Sequence, residues 1–142
     1  MEKRMTFASD IEVERLVWAF RYKMLPGKFW THEAHLTVGL WHQLYHSEAE
    51  ALRLVRIGIR EYNEACGLPN TAHSGYHETL TRFYLRQIRV FLCEQSSALP
   101  LWVLANRLID SFANRELPMS YYSPEALFSE KARREWVEPD LQ

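Results

Sequence analysis

The segment from Phe29 to His46, FWTHEAHLTVGLWHQLYH, concentrates residues that could do chemistry. Its histidines are His32, His35, His42 and His46, and its only carboxylate is Glu33. At about 100° per residue the four histidines fall within one arc of a helix, while nearly all the other positions are apolar. A helix that is apolar almost all round is usually buried in its bundle. The histidine stripe is therefore either the solvent-exposed edge of this helix or the lining of an internal polar site.

A second group of polar residues follows in the run from His73 to Glu78, HSGYHE. Helical spacing places His77 near the middle of the apolar face of a fourth helix, with Thr81 and Tyr84 four and seven residues later. The arginines of that helix lie on its opposite side. We therefore expect His77 to point toward the core, where it could meet the histidines of the first group.

An imidazole in a core needs a partner, because burying an unpaired polar group costs about 1–3 kcal/mol. A metal ion can satisfy several imidazoles at once. His32 and His35 stand three residues apart on one helix, and His77 from a facing helix would complete a three-histidine site. This pattern predicts one divalent transition metal, and imidazole with carboxylate suits Zn, Fe, Ni or Cu.

Two carboxylates adjoin these histidines and could take part in a reaction. Glu78 is the expected acid or base, oriented by Tyr84 or Thr81, and Glu33 is the second choice. The substrate would be a small molecule held between helices. A metal-free acid–base enzyme that uses His77 with Glu78 stays open as an alternative.

Less specific interpretations also fit the same residues. His42 and His46 are expected at the solvent edge of their helix, and His73 is expected in a loop. The histidines could also form a structural network in a non-catalytic binding or regulatory domain. A partner would then dock on an arginine face or on the aromatic residues of the tail. The arginine stripes are Arg53, Arg56 and Arg60, and Arg82, Arg86 and Arg89; the tail aromatics are Tyr121, Tyr122, Phe128 and Trp136.

The elements that must position these residues are helices. Capping residues and apolar periodicity predict five long helices, over about 10–24, 32–46, 48–66, 75–94 and 100–112. Two short helices should begin at Ser123 and Ser129. No stretch alternates as a strand would. The sequence therefore predicts an all-α protein, an antiparallel bundle of four to five helices in a single domain 1–142, with the tail 115–142 packing on the bundle.

Composition narrows the classes of partner and location. Of 142 residues 47% are apolar, and 17 basic residues nearly balance 18 acidic ones, for a net charge of -1. Such a balance predicts neither a nucleic-acid partner nor a membrane partner. Cys66 and Cys93 have no metal-type spacing and are expected as buried free thiols. We see no apolar signal segment, so we expect a cytoplasmic protein, a monomer or a homodimer.

Three runs of the sequence carry a resemblance to a known family. They are WTHEAHL at 30–36, GYHETLT at 75–81 and YYSPEALFSEKARREWVEPDL at 121–141. Together they resemble a family of small, uncharacterised bacterial proteins, over nearly the whole chain. The resemblance implies that His32, His35, His77 and Glu78 matter more than the other histidines, and it implies no particular reaction.

Overall fold

The computed structural model describes residues 4–141, which form seven α-helices and no strand. The five long helices are α1 (Asp10–Arg21), α2 (His32–Tyr45), α3 (Glu48–Ala65), α4 (Glu78–Cys93) and α5 (Leu101–Ser111). The tail holds the short helices α6 (Pro124–Leu127) and α7 (Glu130–Arg134), and 3-10 turns cover Gly27–Phe29 and Leu117–Ser120. The predicted all-α fold, a bundle of five substantial helices with a helical tail, is confirmed.

Side-chain caps fix where most of these helices begin. Ser9, Thr31, Ser47, Ser123 and Ser129 each precede a helix, and each side-chain oxygen accepts a hydrogen bond from the backbone N–H three residues later. Such a cap stabilises a helix by about 1 kcal/mol because it satisfies one of the unpaired N–H groups of the first turn. The capping residues read from the sequence therefore set these helix starts.

Helix α2 lies at the centre of the bundle and packs against α1, α3, α4 and α5. Leu36, Val38 and Leu40 are all buried. At Gly39 the side chain of Ile88 comes so close that a Cβ would lie 2.7 Å from its Cδ1 atom. The absence of a side chain at Gly39 therefore lets α4 approach α2.

The tail packs on α4 through a small second core. Tyr122 and Leu127 are buried against Phe83, and the Tyr122 hydroxyl donates a hydrogen bond to the carbonyl of Val137 over 2.6 Å. Helix α7 also lies against α4. Of the tail aromatics, Tyr122 is fully buried, whereas Phe128 is 62% exposed.

The start of α4 differs from the expectation. The helix begins at Glu78 and not near Gly75, because Gly75 has a left-handed φ of 80° and His77 caps the helix from outside. His77 therefore does not stand on the apolar face of α4. Its ring turns back over the first turn of the helix.

Both cysteines are free, as expected, but the expectation that they are buried is wrong. Cys66 caps the C-terminus of α3 and Cys93 is the last residue of α4, and both are exposed. Helical spacing placed the two cysteines on the apolar faces of α3 and α4. Each cysteine stands at the C-terminal end of its helix, where the apolar face no longer packs against the bundle. Within residues 4–141, every helix is too short or too polar to span a bilayer.

Replacing Gly75 should destabilise the protein more than replacing Gly67, although both have φ near 80°. Alanine at Gly67 meets no atom within 4 Å and should cost about 1 kcal/mol of backbone strain. A Cβ at Gly75 would lie 2.7 Å from the carbonyl oxygen of Pro69, so Gly75→Ala should cost about 2 kcal/mol more. Urea unfolding of both variants measures the difference, and equal losses would contradict this description of the loop.

Candidate functional site

A cavity of about 410 Å³ lies between α2, α3 and α4, and the loop 66–77 contributes to its wall. Most of the lining is apolar, and none of the described residues around it is Asp, Glu, Lys or Arg. Leu68, one of the lining residues, is 45% exposed. A largely apolar cavity with a few polar groups is the usual form of a small-molecule site.

The structure brings several of the predicted site residues to this cavity. His32 and His35 reach it from α2, His77 reaches it from the residue before α4, and Tyr84 reaches it from α4. Glu78 lies just behind the wall, and Glu33 lines a separate surface cleft. All three histidines of the predicted metal site therefore line one cavity.

His35 has an unusual environment. One face of its ring stacks on Trp30, with ring centroids 3.7 Å apart. The residue is nevertheless exposed, and its exposed surface lines the cavity. No described residue forms a hydrogen bond with either ring nitrogen of His35. The imidazole therefore has two polar atoms in a mostly apolar space without a protein partner.

The neighbouring protein atoms keep His35 neutral at ordinary pH, although part of its surface is exposed. Burial among protein atoms, with a smaller contribution from the nearby His32, lowers the pKa of His35 to about 3. At neutral pH the ring therefore offers one N–H donor and one nitrogen acceptor, and carries no charge. Such a ring suits a hydrogen bond to an uncharged group.

His32 and Tyr84 stand next to each other at the cavity wall. The Nε2–H group of His32 donates to the carbonyl of Phe112 over 2.8 Å, which leaves Nδ1 as the acceptor in the neutral ring. The Tyr84 ring meets the His32 ring edge to face, with centroids 5.6 Å apart. Burial raises the pKa of Tyr84 to about 12, so its hydroxyl stays protonated and available as a donor.

His77 uses both of its ring nitrogens within the protein. Nδ1 accepts a hydrogen bond from the backbone N–H of Leu80, which caps α4, and Nε2–H donates to the carbonyl of Leu127 over 2.7 Å. Burial keeps the pKa of His77 below its usual range. His77 thus holds α4 and the tail together, and it could bind a metal only by giving up one of these bonds.

Glu78 forms an ion pair that sequence spacing did not predict. Arg56 of α3 donates two hydrogen bonds to its carboxylate, at 2.9 and 2.6 Å, and the Tyr76 hydroxyl donates a third over 2.7 Å. Burial raises the pKa of Glu78, but these hydrogen bonds outweigh burial and the net shift is downward. The carboxylate is therefore ionised and fully engaged, which favours a positioning role over acid catalysis.

The residues expected to orient Glu78 do something else. The Thr81 hydroxyl donates to the carbonyl of His77 over 2.8 Å, and Tyr84 faces the cavity. Arg56 was expected at the solvated face of α3, yet it reaches across to α4 because its side chain spans the edge between the two helices. Orientation of Glu78 by Tyr84 or Thr81 is therefore corrected to orientation by Arg56 and Tyr76.

Glu33 stands apart from this cavity. Its Oε1 atom is buried without a hydrogen bond, and Nη2 of Arg115 lies 3.6 Å away. The carboxylate faces the cleft that Arg4 and Arg115 border. A reaction in the cavity could therefore not use Glu33 directly.

No group of three His, Cys, Asp or Glu side chains in residues 4–141 is arranged to hold one metal ion. Among the predicted ligands, His35 and the Nδ1 atom of His32 are free of protein hydrogen bonds, whereas His77 is not. A three-histidine site would require the His77 ring to turn away from Leu80 and Leu127. Metal binding stays a prediction that this arrangement makes costly.

The other three histidines lie outside the cavity lining. His42 is buried, contrary to the expectation of a solvent edge, and its Nδ1–H donates to the carbonyl of Val38 over 2.8 Å. Burial lowers the pKa of His42 to about 4. His46 stacks loosely on His42, and His73 is an exposed loop residue beside Glu130, as predicted.

Four residues at or behind the cavity were missed by sequence reasoning. Trp30 and Asn63 line the cavity, Tyr76 lines it and bonds Glu78, and Arg56 pairs with Glu78. Trp30 and Tyr76 adjoin the histidines in the runs WTHEAHL and GYHETLT, so their position next to those histidines was the available signal. Asn63 carried no sequence signal of this kind, apart from its position next to the apolar Tyr62.

Comparisons of this chain with models of protein families, with curated proteins and with solved structures each found no match. The function is therefore inferred from the cavity and its polar groups.

His35 should make the protein sensitive to acid. Its pKa lies near 3 in the folded state and near 6.5 in an unfolded chain, so below pH 6.5 the unfolded state binds more protons. Stability should then fall as the pH drops from 6.5 toward 3, and the loss should be smaller than for a fully buried histidine because solvent reaches part of the ring.

His35→Leu should remove that part of the pH dependence, and it should change the free energy of unfolding at pH 7 by less than about 1 kcal/mol. Urea unfolding at several pH values measures both quantities, with the exposed His73→Leu as the matched control. If the free energy of unfolding of His35→Leu depended on pH as that of the wild-type protein does, His35 would be shown to titrate like a histidine in solvent.

Proposed function

We propose that this protein binds a small, uncharged and largely apolar molecule in the cavity between α2, α3 and α4. The observation that carries the proposal is the environment of His35. Its imidazole stacks on Trp30, lines the cavity and has no hydrogen-bond partner among the described residues. Because no described residue bonds to them, the two ring nitrogens are available to a ligand that enters the cavity.

The chemistry of the wall supports an uncharged ligand. Moving an ion out of water into an apolar site costs several kcal/mol unless an opposite charge meets it. None of the lining residues is Asp, Glu, Lys or Arg, and Arg56 and Glu78 behind the wall already neutralise each other through two hydrogen bonds. A charged molecule would therefore find no counter-charge in the cavity.

The neutral polar groups indicate how the molecule would be held. His35 offers one donor and one acceptor, and Tyr84 offers a hydroxyl that stays protonated at any ordinary pH. Any reaction in this cavity would rely on such neutral groups, for example to polarise a carbonyl by hydrogen bonding. The part of the wall that these groups do not occupy would select the ligand by shape and apolar contact.

An uncharged fluorescent probe tests the proposal. N-phenyl-1-naphthylamine should bind with a large gain in fluorescence, because the cavity shields it from water. Ile59→Trp should reduce its affinity at least about tenfold, since Ile59 lines the cavity and the larger ring would fill it. Fluorescence titration of the wild-type protein and the variant measures the effect.

The matched control is Ile57→Trp, on the same helix but 40% exposed and outside the cavity lining. Its affinity for the probe should equal that of the wild-type protein. Failure of the wild-type protein to bind, or equal binding by Ile59→Trp with its fold intact, would refute a ligand site in this cavity.

Metal binding by His32, His35 and His77 is a second candidate, and one observation favours it: all three side chains line the same cavity. Zn, Fe, Ni or Cu held there would act as a Lewis acid toward a bound molecule. The hydrogen bonds of His77 to Leu80 and Leu127 stand against it, because both ring nitrogens are in use.

Elemental analysis of protein purified without an affinity tag separates the two candidates. The uncharged-ligand proposal predicts far less than one equivalent of any transition metal, and probe binding that a chelator does not change. About one equivalent of metal, lost in a folded His35→Ala, His77→Ala double variant, would instead establish the second candidate.

A further inference from the structure

Three aromatic rings form a continuous stack that ends at the cavity. Phe20 lies against Trp30 with ring centroids 4.6 Å apart and an interplanar angle of 16°. Trp30 lies in turn against His35, at 3.7 Å and 27°. Phe20 is buried in the core, whereas His35 is exposed to the cavity. The last ring of the stack therefore presents its uncovered surface to whatever occupies the cavity.

The ring stack is held in a fixed position. Tyr62 packs against both Phe20 and Trp30, with centroids 5.5 and 5.3 Å away, and its hydroxyl donates to the carbonyl of Leu25 over 2.7 Å. A ring that is already immobilised loses little entropy when a second ring stacks on it. The stack is thus a preformed flat surface at one side of the cavity.

A second observation concerns the edge of the cavity. Asn63 lines it and is only 6% exposed. Its amide NH₂ group donates to the side-chain oxygen of Asn70 over 3.1 Å, and no described residue donates a hydrogen bond to its own amide oxygen. Asn63 therefore brings a deeply placed acceptor to the lining, while Tyr84 brings a donor.

We infer that the ligand of this cavity is a planar, uncharged heteroaromatic molecule that stacks on His35 and carries both an N–H donor and a carbonyl acceptor on its edge. The inference rests on the proposed function and narrows its ligand class. The stacked ring would extend the Phe20–Trp30–His35 series by one member. Its N–H group would donate to the amide oxygen of Asn63, and its carbonyl would accept from the hydroxyl of Tyr84.

Two lactams of similar size test the planar requirement. Quinolin-2(1H)-one is flat, uncharged and carries N–H beside C=O, whereas decahydroquinolin-2-one has the same polar edge on a saturated, puckered frame. The wild-type protein should bind the planar lactam about three to ten times more tightly, because aromatic stacking adds to apolar burial. N-methylquinolin-2-one, which lacks the donor, should bind about three to ten times more weakly than the parent compound.

Two variants of His35 assign the preference to the stack. His35→Leu should lose the preference for the planar lactam, because it removes the ring. His35→Phe keeps a ring in the same place and should keep the preference.

Tyr84→Phe should weaken quinolinone binding about threefold to tenfold, and the exposed Tyr45→Phe should not. Calorimetric or fluorescence titration gives all these affinities, with circular dichroism as the check on folding.

Equal or tighter binding of the saturated lactam would overturn the inference, and so would a planar preference that survives in His35→Leu. Binding of N-phenyl-1-naphthylamine without binding of quinolinone would also overturn it while leaving the proposed function intact. If none of these uncharged probes bound, the proposed function would fail together with the inference.

Discussion

The beginning of α4 ties three parts of the chain together, and the cavity depends on it. His77 accepts a hydrogen bond from the backbone of Leu80 and donates one to the carbonyl of Leu127, so it caps the helix and anchors the tail. The next residue, Glu78, receives two hydrogen bonds from Arg56 of α3 and one from the hydroxyl of Tyr76. Two adjacent polar residues thereby fix the distance between α3 and α4, and the path of the loop before α4.

That fixed frame explains why a cavity can exist in so small a protein. Apolar side chains normally close such a space, because an empty cavity loses contacts and destabilises the fold. Here α3 and α4 are held by an ion pair whose carboxylate is almost fully buried, while α2 meets α4 closely at Gly39. The polar groups left inside, on His35 and Tyr84, make the space suitable for a ligand. Stability and binding are thus assigned to different residues of the same region.

Much of the fold could be predicted from the sequence because its signals are local. Ser9, Thr31 and Ser47 cap helices through contacts three residues away, and such contacts are visible in the order of the residues. The candidate site was harder. Helical spacing gives the face on which a residue lies, but it does not show what packs against that face. Arg56 was therefore expected in solvent, where it finds Glu78 instead.

The histidines show the same limit. His42 was expected at the solvent-exposed edge of α2, but it is buried and donates a hydrogen bond to the carbonyl of Val38. His77 was expected on the inner face of α4, and histidine is not among the usual N-cap residues, so its capping role had no sequence signal. His32, His35 and His77 line one cavity, but His77 reaches it from the residue before α4 and not from the inner face of that helix. The partners of these rings could not be predicted. His32 and His77 donate hydrogen bonds to the carbonyls of Phe112 and Leu127, which lie far away in the chain. His35 stacks on Trp30, which lies before the start of α2.

The most direct test of the central claim is the nitrogen NMR spectrum of the His35 imidazole, recorded during acid titration and again with an uncharged probe such as N-phenyl-1-naphthylamine. If protein encloses the ring and the ring faces the cavity, His35 should stay neutral down to about pH 4, because burial lowers its pKa to about 3. Its ring nitrogens should also shift when the probe binds, whereas those of the exposed His73 should not. A His35 ring that gains its proton near pH 6.5, or that fails to respond to a bound probe, would contradict this account.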